Sequence, residues 1–163
     1  MAQQEVGAAV GGVAGAVRRE PLDRAPRLVE RRVRALAAHG ATDAAARGAE
    51  FLLRHRVIFS ERTGKPAHPV FLELAYPPYW HYDALVGLVT LERSVGLDDP
   101  RASDALDLIE SKRQPDDTWR CERRWWKRPG SKGAGVEAVD WGSAANDLLT
   151  ERAREVLHAA GRA

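Results

Sequence analysis

Two stretches of this chain gather residue types that can do chemistry. The first is Tyr79-Trp80-His81-Tyr82-Asp83, which follows Tyr76-Pro77-Pro78 and runs into the apolar segment Ala84 to Leu91. His81 can carry a proton near neutral pH, and Asp83 can hold one or pair with a cation. The aromatic rings can wall an apolar pocket or face a carbocation. The second stretch is Arg123-Arg124-Trp125-Trp126-Lys127-Arg128. Its cations can clamp phosphate or diphosphate oxygens, and rings set among basic side chains also suit single-stranded nucleic acid or a membrane interface. Each stretch has a plainer reading. Capping and a polar first turn account for His81 and Asp83. Packing between hairpins accounts for Trp80 and Tyr82. A loop whose tryptophans cover the core while its arginines reach solvent accounts for residues 123–128.

The helix that positions the first stretch is expected from about Trp80 to Val95. Leu85, Leu88, Val89 and Leu91 form its buried stripe, and Gly87 permits close packing. Asp83 then lies in the first turn, where the helix end lowers its pKa and keeps it ionised. Another helix follows Pro21 and stops at His39-Gly40. A second runs from about Asp43 to Arg56, with Ala45, Ala46, Gly48 and Ala49 small enough to admit a neighbour. Asp98-Asp99-Pro100 opens a further helix, aspartate as cap and proline at the first helical position, which reaches Lys112. The last runs from near Ser143 to about Ala160. Residues 57–75 and 113–140 read as long loops, the second with a Gly-rich segment from Pro129 to Gly135.

A chain of 163 residues suits one domain or part of a larger one. No run reaches the roughly 18 apolar residues of a spanning helix, so no transmembrane segment is expected. Lys and Arg total 25 against 23 acidic residues, and a net charge of +2 gives no strong nucleic-acid signal. The single Cys121 excludes an internal disulfide and a cysteine-rich zinc site, and suits a reducing, cytoplasmic setting. The apolar run Val6 to Val17 is preceded by Glu5 rather than by basic residues, unlike a secretory signal. Residues 1–20 are therefore expected to be a flexible N-terminal segment, and 21–163 the helical part. No metal or cofactor is expected.

Two blocks of the sequence correspond. Gly40-Ala-Thr-Asp43 matches Gly96-Leu-Asp-Asp99, and Gly48 to Arg56 matches Ala105 to Arg113. Each block is a helix, a glycine stop, an Asp-capped helix and a long loop. One such hairpin cannot bury its own apolar face, so hairpins must stack or close a ring.

The segment Glu110-Ser-Lys-Arg-Gln-Pro-Asp-Asp-Thr-Trp119 resembles the Gln-Trp repeat motif of the squalene cyclase and protein prenyltransferase superfamily. Gln114 and Trp119 fit it, while Asp117 stands where glycine is usual. Pro77-Pro78-Tyr-Trp-His-Tyr-Asp83 is similar to a helix start in bacterial members of unassigned function. The resemblance covers roughly residues 40–160. It implies an all-α, partial α/α toroid of helical hairpins with long loops. Residues 80–95 and 143–160 would be inner helices, and 43–56 and 101–113 outer ones. A full ring needs about twice the helices present, which implies a second chain or a homo-oligomer completing it. The resemblance also implies a central cavity lined by Trp80, Tyr82 and Leu85, with His81 and Asp83 at its mouth. An isoprenoid or prenyl diphosphate would be the ligand, with Arg123, Arg124, Lys127 and Arg128 as phosphate-binding candidates. Gln114 would cap a helix end and Trp119 would stack over it. The family's Asp-x-Asp-Asp acid is not matched, since capping explains Asp98 and Asp99. Cys121, His81 and Asp83 lack the family's zinc-ligand spacing. No catalytic residue is thus implied. The competing expectation is a non-catalytic helical-repeat interaction module, or a truncated enzyme remnant.

Overall fold

The computed structural model describes residues 24–141 and 146–162. The expectations for residues 1–20, and for a helix start at 143–145, lie outside the described residues. Five α-helices follow in order: α1 (Arg24–Ala38), α2 (Thr42–Arg54), α3 (Ala84–Glu92), α4 (Ser103–Ser111) and α5 (Asp147–Ala159). Short 3-10 turns lie at Pro69–Leu72 and Pro100–Ala102. Strand-like pairing among the described residues is limited to isolated bridges. The all-α expectation is met.

The helix ends follow local chemistry. Gly40 (φ +73°) ends α1, and Ala41 N–H closes back on Leu36 O at 2.9 Å. Gly96 (φ +87°) does the same after α3, donating to Leu91 O. Both positions need a left-handed backbone, which costs glycine little. Asp99 caps the turn before α4 by accepting from Arg101 N–H at 2.9 Å. The Arg101 guanidinium reaches both Asp99 and Glu50 of α2, and holds the Asp99 pKa down to about 2. Asn146 caps α5 through Leu149 N–H.

α1 and α2 form the first hairpin. A Cβ on Gly48 would lie 2.3 Å from Val33 Cγ2, so this glycine sets the closeness of the pair. α3 packs against all four other helices. Its residues Leu85, Gly87, Leu88, Val89, Thr90 and Leu91 are buried, so it is apolar on every side and occupies the middle. The core around it includes Leu52, Phe71, Leu74, Ile109, Trp119 and Leu157. Burying each large aliphatic side chain stabilises the fold by about 1.5–3 kcal/mol.

Backbone bonds stitch the two long loops together. Glu122 N–H and Arg123 N–H both donate to Leu74 O, at 2.8 and 3.2 Å. The Glu122 carboxylate in turn accepts from Leu74 N–H at 2.8 Å. Residues 74–83 and 119–127 therefore sit side by side.

One boundary needs correction. α3 begins at Ala84, not at Trp80. Tyr79 adopts φ +50°, and His81 N–H donates to Pro78 O, which makes a tight turn ahead of the helix. Trp80, His81 and Tyr82 belong to the strap that leads in, and Asp83 is the cap rather than a first-turn residue.

Candidate functional site

Asp83 is fixed by the strap and the helix it opens. Its Oδ1 accepts from Val86 N–H at 2.9 Å, the usual capping bond, and its Oδ2 accepts from Ala75 N–H at 3.3 Å. The residue is only 3% exposed. Burial penalises the charged carboxylate and pushes its pKa up to about 6, against the pull of the Val86 and Ala75 N–H groups. The expectation that the helix end lowers this pKa is thus overturned. The dipole and capping act as foreseen, but desolvation outweighs them.

Asp83 faces a partly open cavity of about 290 Å³ lined by the strap, α1, α3 and α5. Leu85, Val86 and Val89 of α3 and Leu148 and Leu149 of α5 supply apolar wall. Arg34, Arg93 and Arg152 supply cations from three different helices or helix ends. Arg34 pairs with Glu30 at 3.0 Å, and Arg152 with Glu155 at 2.6 Å. Glu30 is itself buried, and burial raises its pKa. The Arg93 side chain makes no ion pair or hydrogen bond among the described residues. The pocket combines an apolar wall, three guanidinium groups, the Glu151 carboxylate and the Asp83 carboxyl, whose pKa is raised to about 6.

The other residues of the first stretch go elsewhere. Tyr82 packs in the core with its ring edge-on to Phe71 at 5.1 Å, and its hydroxyl donates to Val57 O at 2.8 Å. Burial raises its pKa well above the ordinary value. Val57 is a β-branched residue at φ +67°, an uncommon conformation that this bond and the surrounding packing hold in place. Trp80 turns outward and is 52% exposed. His81 lies between Trp80, at 5.2 Å, and Trp125, stacked at 3.4 Å and 3°. Trp126 meets Trp80 edge to face at 5.7 Å. The fold therefore joins the two chemically notable stretches into one aromatic ridge, although it separates Trp80, His81 and Tyr82 from the cavity that holds Asp83.

Among the phosphate-binding candidates, carboxylates already engage two. Arg123 makes a two-pronged pair with Glu73, at 2.5 and 3.0 Å, and holds that carboxyl below its usual pKa. Arg124 pairs with Glu137 and with Asp140, the latter at 2.7 Å. Lys127 donates to Lys132 O at 3.2 Å and Arg128 is exposed. An anion at this loop has to displace Glu73 or Glu137 to reach either arginine.

Gln114 and Trp119 behave as a helix terminus. Gln114 Nε2 donates to Lys112 O at 3.1 Å, and the fully buried Trp119 indole donates to Ile109 O at 2.7 Å. The Gln114 bond gives the Lys112 carbonyl beyond the end of α4 a partner, and the indole adds a second donor to the Ile109 carbonyl, which Lys112 N–H also reaches at 3.2 Å. The Arg113 guanidinium lies 5.3 Å from the Trp119 ring. Asp117, where the motif usually has glycine, has φ +60°. Arg154 holds it there, donating to its carboxylate at 2.9 Å and its carbonyl at 2.7 Å.

Sequence reasoning missed Arg34, Arg93 and Arg152 as pocket residues. The signal for Arg93 was present: Leu85, Val89 and Arg93 recur every four residues and share one helix face. Arg34 and Arg152 gave none, because charged residues on an amphipathic helix read as its solvated side. No protein-family model, curated protein or solved structure matches this chain.

Proposed function

We propose that this chain is a partial α/α toroid of the squalene cyclase and prenyltransferase type, and that its pocket binds a short isoprenoid diphosphate. In this reading α3 and α5 are inner helices, and α2 and α4 outer ones. The pocket beside Asp83 carries the proposal. Leu85, Val86, Val89 and Leu149 suit a hydrocarbon chain, and Arg34, Arg93 and Arg152 suit the oxygens of a diphosphate. The left-handed turn at Asp117 and the carbonyl caps made by Gln114 and Trp119 lend support, since they give the Gln-Trp motif a physical role at a helix end. A volume of about 290 Å³ lies at the small end of ligand pockets, which run from about 300 to 1,000 Å³. Short chains should therefore fit better than long ones.

Native mass spectrometry of the chain with dimethylallyl, geranyl and farnesyl diphosphates tests this. One of the two shorter ligands is expected to stay bound, and Leu85→Trp should abolish the adduct. Equal retention of inorganic diphosphate would sink the isoprenoid reading. A second reading, a helical-repeat module completed by another copy, is favoured by one observation. Leu148, beside the pocket, is 45% exposed. The same spectra report it: a dimer supports the second reading, and a ligand-free monomer supports neither.

A further inference from the structure

We propose that the aromatic ridge is a second binding site, for a nucleobase bearing a phosphate, with the base stacked on Trp80. The site adjoins the pocket beside Asp83, with which one of its flanking hollows shares Arg34, and does not depend on the isoprenoid reading. Trp80 is the most exposed large apolar residue among those described, at 52%, with Tyr79 beside it at 44%. Such residues are ordinarily singletons on a surface, whereas here they are held in place. The rings of Trp80, His81 and Trp125 lie one on the next, and the Arg123 guanidinium sits 5.5 Å from Trp125. Trp126 braces Trp80 from the side. Tyr79 pays for the outward turn with a left-handed backbone, a strain typical of residues positioned for use. Trp80 is thus the open end of a prebuilt stack, and a planar ring extends it.

Two hollows flank this end, and basic side chains line both. One, about 340 Å³, has Arg31 and Arg34 of α1 beside Trp80. The other, about 400 Å³, has Lys127 beside Trp80 and Trp126. The only acidic residue lining either is Glu30, which Arg34 pairs. Aromatic surface between cations matches a base joined to phosphate better than it matches a neutral sugar or a cationic ligand. The chain's net charge of +2 is no objection, because the relevant charges are local. The same chemistry occurs in a free nucleotide and in a single strand.

Fluorescence anisotropy with labelled oligo(dT), and with an abasic strand of equal length, tests the inference on the full chain. Oligo(dT) should bind at least about tenfold more tightly than the abasic strand, equivalent to about 1.4 kcal/mol. Trp80→Ala should remove that advantage, whereas Trp80→Phe should keep most of it. Because Trp80 is half exposed, both variants should stay folded, with a modest fall in melting temperature for Trp80→Ala from its lost ring contacts and a smaller one for Trp80→Phe. Arg31→Ala should weaken both strands alike and lower the salt slope by about one unit. Competition by thymidine 5′-monophosphate identifies a nucleotide site, and failure to compete identifies a strand site. Equal binding of the abasic strand, unchanged binding by Trp80→Ala, or no binding of either strand overturns the proposal.

Discussion

Asp83→Asn separates the burial of this carboxyl from its capping. The folded chain holds the Asp83 proton to about pH 6, against an ordinary value of 3.8. Between these values the folded state binds more protons than the unfolded state, so stability falls as pH rises through the window. Two units at about 1.4 kcal/mol each give a loss of about 3 kcal/mol, complete a little above pH 6. Asparagine keeps an oxygen for Val86 N–H but turns an N–H₂ group toward Ala75 N–H, forfeiting one buried bond worth about 1–3 kcal/mol. That deficit does not depend on pH. The variant should therefore be the less stable protein at pH 4 and match or exceed wild type at pH 7. Urea unfolding of both proteins at several pH values, followed by far-ultraviolet circular dichroism, measures the difference, in which all other titrations cancel. Parallel stability curves for the two proteins from pH 4 to 7 would refute the reasoning.

Trp119→Phe should cost about 1–3 kcal/mol, from the lost bond to Ile109 O, which keeps Lys112 N–H as a partner, and from the space left in the core, seen as a lower urea midpoint at unchanged slope. Gly87→Ala should lower the melting temperature. Its Cβ would lie 2.3 Å from Tyr82 Oη and 2.5 Å from Val57 Cγ1, and overpacking of about 1–3 kcal/mol outweighs a helix-propensity gain of about 1 kcal/mol. Adding Tyr82→Phe to Gly87→Ala should restore part of that loss, and a double-mutant cycle on thermal unfolding would show whether the two sites couple. Arg101→Ala should leave the melting temperature almost unchanged, since its bonds to Glu50 and Asp99 are exposed and screened. A marked loss at high salt would contradict that.

The helical frame was legible because its signals are local. Asp99-Pro100 opens the 3-10 turn that leads into α4, and Gly40 and Gly96 close α1 and α3. The motif singled out Gln114 and Trp119, but the bonds they make, to Lys112 O and Ile109 O, are set by the fold and not by the motif. The start of α3 was not legible, because Trp80-His81-Tyr82 contains no helix breaker and the backbone reversal sits at Tyr79, which carries no compositional mark. Nor was the sign of the Asp83 shift. It depends on how completely the strap, α1 and α5 close over the carboxyl, a property of residues remote in sequence. The pairs Arg123–Glu73 and Arg124–Glu137 were hidden for the same reason. A run of cations shows that charge is present, but not whether the fold delivers carboxylates to it.

The uniform apolarity of α3 has a consequence for how the helix is oriented. A cylinder equally greasy all round gains the same burial whichever way it turns, so hydrophobicity alone leaves its rotation about the long axis undetermined. Two asymmetric features remove that freedom. Gly87 is a notch that receives Tyr82 and Val57, and Asp83 is a tether tying the first turn to Ala75. The rotation they select aims Leu85, Val89 and Arg93 at the cavity rather than at α2 or α4. The character of the pocket is thus set by a missing side chain on a face that the pocket never touches.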